Sequence, residues 1–459
     1  MTTTAEPQMQ LDRPPPLPPH AAERQHRLPG RPDVIVRAVG DGADSLPALL
    51  GWHASTRCAA PALRHKTRGA WATWSWGDLA HEVACLAHGL GGLGFGPGDV
   101  LILLGQTSPR QLALALAAQA RGGAVLPVGD AFEPAAVGAV ARASEARHAY
   151  AFASDERQID RLLLDRLQLG TVPLAAMVID DRRGRGDRGA GHSDLPLHAY
   201  EALRSAAGRD SAGRAVDVRE PIAPGHLPHI LACHSELRAL GVWDPATGGR
   251  DLESVDALEP HGGPCAWLTH RQLLLAAASP AVLPAGPTAG VAGVGGPAVA
   301  GPEDEALLLD PLCTRSGAAV LAHWLLSGFC LSCPEADGSA EEDRREVAPT
   351  YLLASTAWYT RLRRDTEARL PPPGSWRRKL IAAALGRRAR RDAPPTSAAR
   401  AGLVGRQLDH LASALVARPL SRALGLARAR VAVAVGEPIG AEDSDFLAAI
   451  GLATLHLPS

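Results

Sequence analysis

Lysine is almost absent from this sequence of 459 residues. Lys66 and Lys379 are the only lysines, although lysine and arginine together number 47. Arginine matches the charge of lysine, but its planar guanidinium does not replace a compact ammonium donor on a flexible stem. A reaction that needs a lysine ammonium group must therefore use one of these two positions.

Aromatic residues make up 4% of the sequence, and no uncharged apolar run reaches the roughly 20 residues that a membrane span needs. The start of the chain lacks the basic and then apolar segments of a signal peptide. The net charge of −1 gives no electrostatic preference for nucleic acid. We therefore expect a cytoplasmic protein with no membrane span and no nucleic-acid partner.

Seven cysteines, an odd number, are scattered through the chain. Cys330 and Cys333 form a C-x-x-C pair in an apolar segment that ends at a proline, which favours two core cysteines over a redox or zinc pair. Another cysteine lies in a cluster that could hold zinc, namely His226, His229, Cys233 and His234. Its spacing and mixed apolar context favour ordinary loop and strand residues, so we assign no metal site.

The composition divides the chain into four parts. Residues 1–44 are rich in proline and are predicted to be a disordered tail. Residues 45–206 read as a first α/β subdomain, and residues 305–459 read as a second one. Residues 207–304, between the two subdomains, show only a weak alternation of helix and strand patterns. They include a Gly/Ala/Val/Pro stretch that is typical of a flexible loop.

Helical and strand patterns alternate in both predicted subdomains. Residues 78–93 carry leucines and valine at spacings of three and four, residues 99–104 are a continuous apolar run, and Ser108-Pro109 is a helix-start signal. Further strands are predicted at 61–65, 72–75, 124–128, 149–152, 176–179, 305–310, 329–331, 350–353 and 431–435. Further helices are predicted at 133–144, 155–167, 317–326, 355–368 and 441–449. This alternation predicts an α/β fold with mostly parallel, doubly wound sheets.

Several segments carry a resemblance when taken in their order along the chain. They are 71–99 (WATWSWGDLAHEVACLAHGLGGLGFGPGD), 121–128 (RGGAVLPV), 267–271 (WLTHR), 310–312 (DPL), 324–329 (WLLSGF) and 438–439 (PI). Together they resemble the AMP-forming acyl-CoA synthetases, and within them the bacterial long-chain fatty acid–CoA ligases. The resemblance implies the large N-terminal domain of the adenylate-forming fold, with stacked subdomains, and we expect the C-terminal domain to be absent.

The resemblance also implies a two-step reaction. A carboxylic acid such as a long-chain fatty acid attacks the α-phosphate of ATP, held with Mg²⁺, and coenzyme A then takes the acyl group. A Ser/Thr/Gly-rich loop ending in lysine and a Tyr-Gly-x-Thr-Glu segment would hold the phosphates. The cofactor-binding residues that the resemblance assigns here are Gly262, Gly263, Thr269, Gly436, Glu437 and Pro438.

The sequence departs from that pattern where the phosphates would bind. In residues 259–265 the hydroxyls are missing and Cys265 stands about where the lysine belongs. The last tyrosine is Tyr359, so the Tyr-Gly-x-Thr-Glu segment is absent, and residues 452–459 occupy its approach. Because preorganised phosphate contacts are each worth roughly 2–4 kcal/mol in a transition state, their loss should abolish measurable adenylation. We assign no catalytic residue.

Three hypotheses follow. The chain is a fatty acyl–CoA ligase completed by a separate partner, a non-catalytic pseudoenzyme that binds acyl chains, nucleotide or a protein partner, or a relic without function. Gly436 can equally be a ligand contact or a glycine that a strand-to-helix turn requires. His270 is interpreted as a polar residue at a helix start. If a domain is missing after the last core strand, an uncovered face should favour association with a partner.

Overall fold

A computed structural model describes most of the chain. The described residues are 45–129, 146–154, 158, 173–180, 196–206, 230–232, 267–270, 273–274, 277, 300–335, 339–372, 374–376, 378–379, 381, 383 and 413–457. The predicted tail and the predicted helices at 133–144 and 155–167, apart from Gln158, lie outside the described residues. So do the candidate zinc ligands and most of residues 207–304.

The described helices and strands confirm the predicted α/β alternation. The helices are α1 (Leu46–Arg57), α2 (Trp76–Gly92), α3 (Pro109–Ala120), α4 (Tyr200–Ser205), α5 (Arg315–Ser327), α6 (Ala340–Val347), α7 (Thr356–Arg369), α8 (Arg418–Ala423) and α9 (Ala441–Ile450), with a π-helical turn at Ser413–Ala417. The strands are β1 (Pro61–Thr67), β2 (Ala70–Ser75), β3 (Val100–Leu104), β4 (Ala124–Val128), β5 (Ala149–Ala153), β6 (Leu174–Ile179), β7 (Leu197–Ala199), β8 (Ile230–Ala232), β9 (Trp267–Thr269), β10 (Glu305–Leu307), β11 (Cys330–Cys333), β12 (Tyr351–Ser355), β13 (Val431–Val435) and β14 (Ala453–Leu457). No described helix is long and apolar enough to cross a membrane.

Local sequence explains where the helices begin. Ser108 caps α3, because its side chain accepts a hydrogen bond from Gln111 N, and Pro109 follows at the first helical position as predicted. Ser75 and Asp78 form a reciprocal capping box at α2. Such caps satisfy backbone donors that have no partner within the helix.

The strands form two seven-stranded sheets, in which the five strands β3–β7 and the five strands β10–β14 follow the same order. The first has the order β7-β6-β5-β3-β4-β8-β9, and the second has the order β14-β13-β12-β10-β11-β1-β2. In each sheet only the last strand is antiparallel, β9 against β8 and β2 against β1. The prediction of mostly parallel, doubly wound sheets is therefore confirmed for the described strands.

The β1–β2 hairpin corrects one sequence-based assignment. It lies inside the predicted first subdomain, residues 45–206, yet β1 pairs in parallel with β11, Leu63 opposite Leu331. Arg64 reaches further, to Glu305 on β10, with 2.6 Å between Nη1 and Oε1. Because hairpin signals are local and edge pairing is not, the sequence pattern did not reveal which sheet the hairpin joins.

The end of the second sheet corrects another interpretation. The sequence pattern predicts 431–435 as the last strand, but residues 453–457 form β14, which pairs in parallel with β13 along its whole length. Thr454, Leu455 and Leu457 are buried, whereas Ala453 is exposed. The polar Thr454 and His456 hid the strand pattern, and β13 is not an edge strand.

One layer of helices lies between the two sheets. A single hydrophobic cluster contains residues of α1, α2, α3 and α5 together with residues of both sheets. At its centre Trp76 stacks on His53 at 4.1 Å and on Trp324 at 5.4 Å between ring centroids. The Trp324 indole donates to Ala62 O on β1, which fixes α5 against the hairpin.

We predict that the stability of the second sheet depends strongly on the Arg64–Glu305 ion pair. Both side chains are almost fully buried, and Ser332 Oγ also donates to Glu305 Oε1. Arg64→Met leaves the buried carboxylate with only the long contact to the exposed Arg428, 3.8 Å between Nη1 and Oε2, which should lower the free energy of unfolding by about 3–5 kcal/mol. Urea unfolding measures this. The double variant Arg64→Met/Glu305→Leu should recover much of the loss, and a single variant as stable as the parent would contradict the prediction.

Candidate functional site

The second sheet changes its winding direction between β10 and β12. The chain runs from β10 to β11 on one side and then returns to β12, β13 and β14 on the other, the 2-1-3-4-5 order of a doubly wound sheet. In such sheets ligands bind outside the carboxyl ends of the strands, at the point where the order reverses. The residues that follow β10, β12 and β13 are therefore the first candidates for a site.

Asp310 and Ser355 bridge this point. Asp310 follows β10, and its carboxylate accepts hydrogen bonds from the backbone N–H of Ser355 and, at 2.9 Å, from its hydroxyl. Asp310 is buried, and burial raises its carboxyl pKa in spite of the hydrogen bonds from Ser355 and Ser316, which act in the opposite direction. The carboxyl group can therefore hold or release a proton at higher pH than an exposed aspartate.

The predicted site residues Gly436, Glu437 and Pro438 form the turn after β13, at the same edge. Gly436 has φ of 94°, a conformation that favours glycine. Thr356 Oγ1 donates to Glu437 O at 2.6 Å, and His456 Nε2 lies 2.6 Å from Gly436 O. Glu437 and Pro438 themselves are exposed. The turn is held by β14 on one side and by the start of α7 on the other, and its outer surface remains open.

The carboxyl edge of the first sheet adjoins this edge. Leu312 N, after β10, donates to Thr107 Oγ1 after β3 at 2.7 Å. A Cβ placed on Gly129, after β4, would lie 3.3 Å from Cys313 Sγ, so the chain passes closely there. The two sheets thus share one rim, to which both contribute polar groups.

The corresponding reversal point of the first sheet is filled by the protein itself. Ser154, after β5, donates both its N–H and its hydroxyl to Gln158 Oε1. A Cβ on Gly105, after β3, would lie 2.2 Å from Gln158 Nε2. Because Gly105 admits this side chain, the crevice between β3 and β5 is occupied, and the second sheet offers the better site.

Thr269 does not lie at this rim. It pairs with Ile230, the first residue of β8, which is at the amino end of the parallel strands. The β8–β9 connection, residues 233–266, leaves from the carboxyl end, and Gly262 and Gly263 belong to it but lie outside the described residues. His270 is buried, and its Nδ1 accepts a hydrogen bond from Leu46 N at the start of α1. This contact agrees with the interpretation of His270 as a polar residue with a structural position.

Lys66 is held by carboxylates on the outer side of the second sheet. Its Nζ lies 2.9 Å from Asp343 Oδ1 and 2.8 Å from Glu346 Oε2. Burial lowers the pKa of Lys66, but the contacts with Glu346 and Asp343 together outweigh it, so the pKa is raised. Both carboxylates belong to α6. The ammonium group therefore anchors α6 to β1.

The C-x-x-C pair lies within β11. Cys330 and Cys333 are free thiols, almost fully buried, and burial raises the pKa of Cys333 to about 12 and that of Cys330 as well. Both thiols therefore stay protonated at neutral pH and are unreactive. In the described part of the chain, no group of three His, Cys, Asp or Glu residues could hold a metal ion.

Comparison with known proteins places this geometry in context. Residues 50–199 match the family model of the AMP-binding enzymes. The matched region begins in α1 and ends at β7, so it includes the whole described part of the first sheet except β8 and β9. No curated protein matches the chain.

Solved structures extend the likeness over nearly the whole chain. The A-PCP didomain of carboxylic acid reductase from Segniliparus rugosus in complex with AMP matches with a TM-score of 0.58 and 14% identity over 93% of this chain and 54% of that one. The acetoacetyl-CoA synthetase from Streptomyces lividans matches with a TM-score of 0.52 and 16% identity over 90% of this chain and 51% of that one. The fold is that of the adenylate-forming enzymes, and the chain spans about half the length of these two proteins.

Sequence reasoning did not select the polar bridge at the rim. Asp310 was noted only within a resemblance motif, and Ser355 only as a helix start. A signal was available, because each residue comes directly after an apolar run of the sequence, 306–309 before Asp310 and 351–354 before Ser355, and carboxyl ends of parallel strands meet at one edge.

We predict that Asp310 gives the stability of the protein a specific pH dependence. A raised pKa in the folded state means that this group stabilises the fold when protonated, and that the stabilisation is lost as the pH rises from near 3.8 through the folded-state value. Asp310→Asn keeps the hydrogen-bonding shape without titrating. The free energy of unfolding of the parent minus that of the variant should therefore fall with rising pH. A difference that stays constant or rises, measured by urea unfolding across the acid range, would contradict this.

Proposed function

We propose that this protein binds an adenine nucleotide and a carboxylic acid at the carboxyl edge of the second sheet without completing the AMP-forming ligase reaction. The observation that carries the proposal is the convergence of Asp310, Ser355 and the Gly436–Pro438 turn at the reversal point of the sheet. It supports binding of a small molecule at this edge. The reaction would need further groups.

The likeness to nucleotide-bound proteins supports the choice of ligand. The carboxylic acid reductase A domain, whose solved structure holds AMP and a co-purified carboxylic acid, matches with a TM-score of 0.50 and 16% identity. It covers 93% of this chain and 61% of that one. We propose AMP or ATP with Mg²⁺ as the nucleotide. The resemblance to the bacterial ligases suggests a long-chain fatty acid as the carboxylic acid.

The lysines support the loss of the ligase reaction. Lys66 is engaged by Asp343 and Glu346, and Lys379 is the only other lysine. In the sequence aligned with the phosphate loop, residues 259–265, no lysine, arginine, serine or threonine is present. Without a cation and hydroxyl donors, the charge that develops on the phosphates during adenylation has no stabilising partner there. Coenzyme A would then have no acyl-adenylate to accept.

An active long-chain fatty acid–CoA ligase is the second candidate. It is favoured by the extent of the fold likeness, because the solved structures match across both sheets. A separate protein chain could supply groups that this chain lacks. The two candidates differ in whether pyrophosphate is released.

We predict that calorimetry will detect AMP binding, and that ATP, Mg²⁺ and palmitate together will release no pyrophosphate. In this proposal the rim binds the nucleotide, but residues 259–265 do not supply the cation and hydroxyl donors that the phosphates need during the reaction. Palmitate titrated with and without AMP tests whether the acid binds in the same site.

The outcomes separate the alternatives. Release of pyrophosphate that requires palmitate would establish a ligase and overturn the proposed loss of activity. Binding of palmitate but not of AMP or ATP would leave an acyl-binding protein and remove the nucleotide from the proposal. Binding of none would reject it.

A glycine pair provides a matched test of the rim. Gly436 and Gly451 have φ of 94° and 95°, so alanine at either should cost about 1–2 kcal/mol of stability. Gly451 ends α9 at the opposite, amino edge of β14. Gly436→Ala should weaken AMP binding at least several-fold, and Gly451→Ala should not. Equal effects of both variants on AMP binding would count against a site at the Gly436 turn.

A further inference from the structure

A groove of about 640 Å³ lies between α6 and α7, on the face of the second sheet that points away from the first sheet. Its floor comes from residues after β10 and β11 and from the apolar side chains Leu308, Leu362 and Leu424. One end opens near Asp310 and Ser355, and the walls continue along both helices to Arg369. The groove therefore adjoins the rim but extends away from it.

Arg344 lines this groove and is 6% exposed. Its Nε donates to Leu424 O at 2.8 Å, and its guanidinium carbon lies 5.4 Å from the centroid of the Trp358 ring. The two terminal Nη groups have no hydrogen-bond partner among the residues that the structure describes. A buried guanidinium with one of its edges unused is costly unless an anion pairs with it.

The carboxylates around the groove are already engaged. Glu341 accepts from Arg369 through both oxygens and from Arg345 through one. Asp365 lies 3.9 Å from Arg361, and Asp310 accepts from Ser355. Within the described part of the chain, no carboxylate forms an ion pair with Arg344.

Charges of both signs line the groove around Arg344, namely Arg361 and Arg369 on one hand and Asp310, Glu341 and Asp365 on the other. Burial is the main cause that lowers the pKa of Arg344 to about 10, and Arg345, Arg369 and Arg361 lower it further against the opposite effect of Glu341. Arg344 remains protonated at neutral pH. Because Glu341, Asp365 and Asp310 already have other partners, the open guanidinium edge of Arg344 attracts an anion in the groove.

We propose that this groove is a second binding site, for a small organic anion whose carboxylate or phosphate group pairs with Arg344. The planar fork of the guanidinium suits either group, since both accept two parallel hydrogen bonds. The apolar part of the ligand would lie along Trp358, Leu362 and Leu424. Arg361, which is exposed at the groove wall, adds a second positive charge.

Two probes with the same apolar part test the site. Benzoate and phenyl phosphate each carry one anionic group on a phenyl ring. Inorganic phosphate has no apolar part and serves as the control. Calorimetry on the full chain at low ionic strength should show saturable binding of at least one phenyl probe, tighter than that of inorganic phosphate. Tighter binding of phenyl phosphate than of benzoate would identify phosphate as the preferred group, and the reverse would identify carboxylate.

Arginine variants locate the probe. Arg344→Gln should weaken binding about 10-fold or more, whereas Arg345→Gln, on the same helix but outside the groove lining, should not. The Arg361→Gln variant remains informative if the Arg344→Gln variant does not fold. Arg361 is exposed, and its ion pair with Asp365 contributes little stability, so its replacement should not impair folding. Arg361→Gln should weaken binding several-fold, and Arg364→Gln, also exposed on α7, should leave it unchanged.

The proposal fails if neither phenyl probe binds saturably at millimolar concentration, or if binding is the same in the Arg344→Gln and Arg361→Gln variants as in the parent. Gly436→Ala should not affect these probes, so failure of the nucleotide site and failure of the groove are distinguishable.

Discussion

The architecture depends on one layer of helices that both sheets share. Trp76 and Trp324 come from opposite halves of the sequence and stack in the middle of that layer, fully buried. Removing either would expose apolar surface of both sheets, since their inner faces belong to the same core cluster. This common core also aligns the carboxyl edges of the two sheets, as the Thr107–Leu312 hydrogen bond shows. The rim is therefore a product of core packing.

The outer face of the second sheet is organised separately. Leu352, Ala354, Ala432 and Ala434 alternate along β12 and β13 with residues of the common core, and they pack against α7 and α9. The helices there are charged, with Arg363 bound to Asp443 and Glu367. Packing of α6 and α7 over this small apolar surface leaves the groove between them. The two proposed sites thus belong to different layers, and they meet only near Asp310.

Much of the fold follows from the sequence, because its signals are local. Apolar runs, helix caps and the β–α alternation gave most described strands and helices and the doubly wound class. The features that were missed depend on contacts between distant residues. The place of the β1–β2 hairpin and the pairing of β14 are examples, and so is the unused guanidinium edge of Arg344. At the site, the sequence indicated the Gly436 turn but not its tethers, Thr356 and His456.

The position of the β1–β2 hairpin has a consequence for synthesis of the chain. Its partners are made much later, since Arg64 and Glu305 are 241 residues apart. At ordinary translation rates the hairpin waits for roughly tens of seconds on the ribosome before its neighbouring strand exists. During that time β1 presents an unpaired strand edge, which is prone to wrong pairing. The early hairpin is thus a segment of the nascent chain that is exposed to wrong pairing until β10 and β11 have been made.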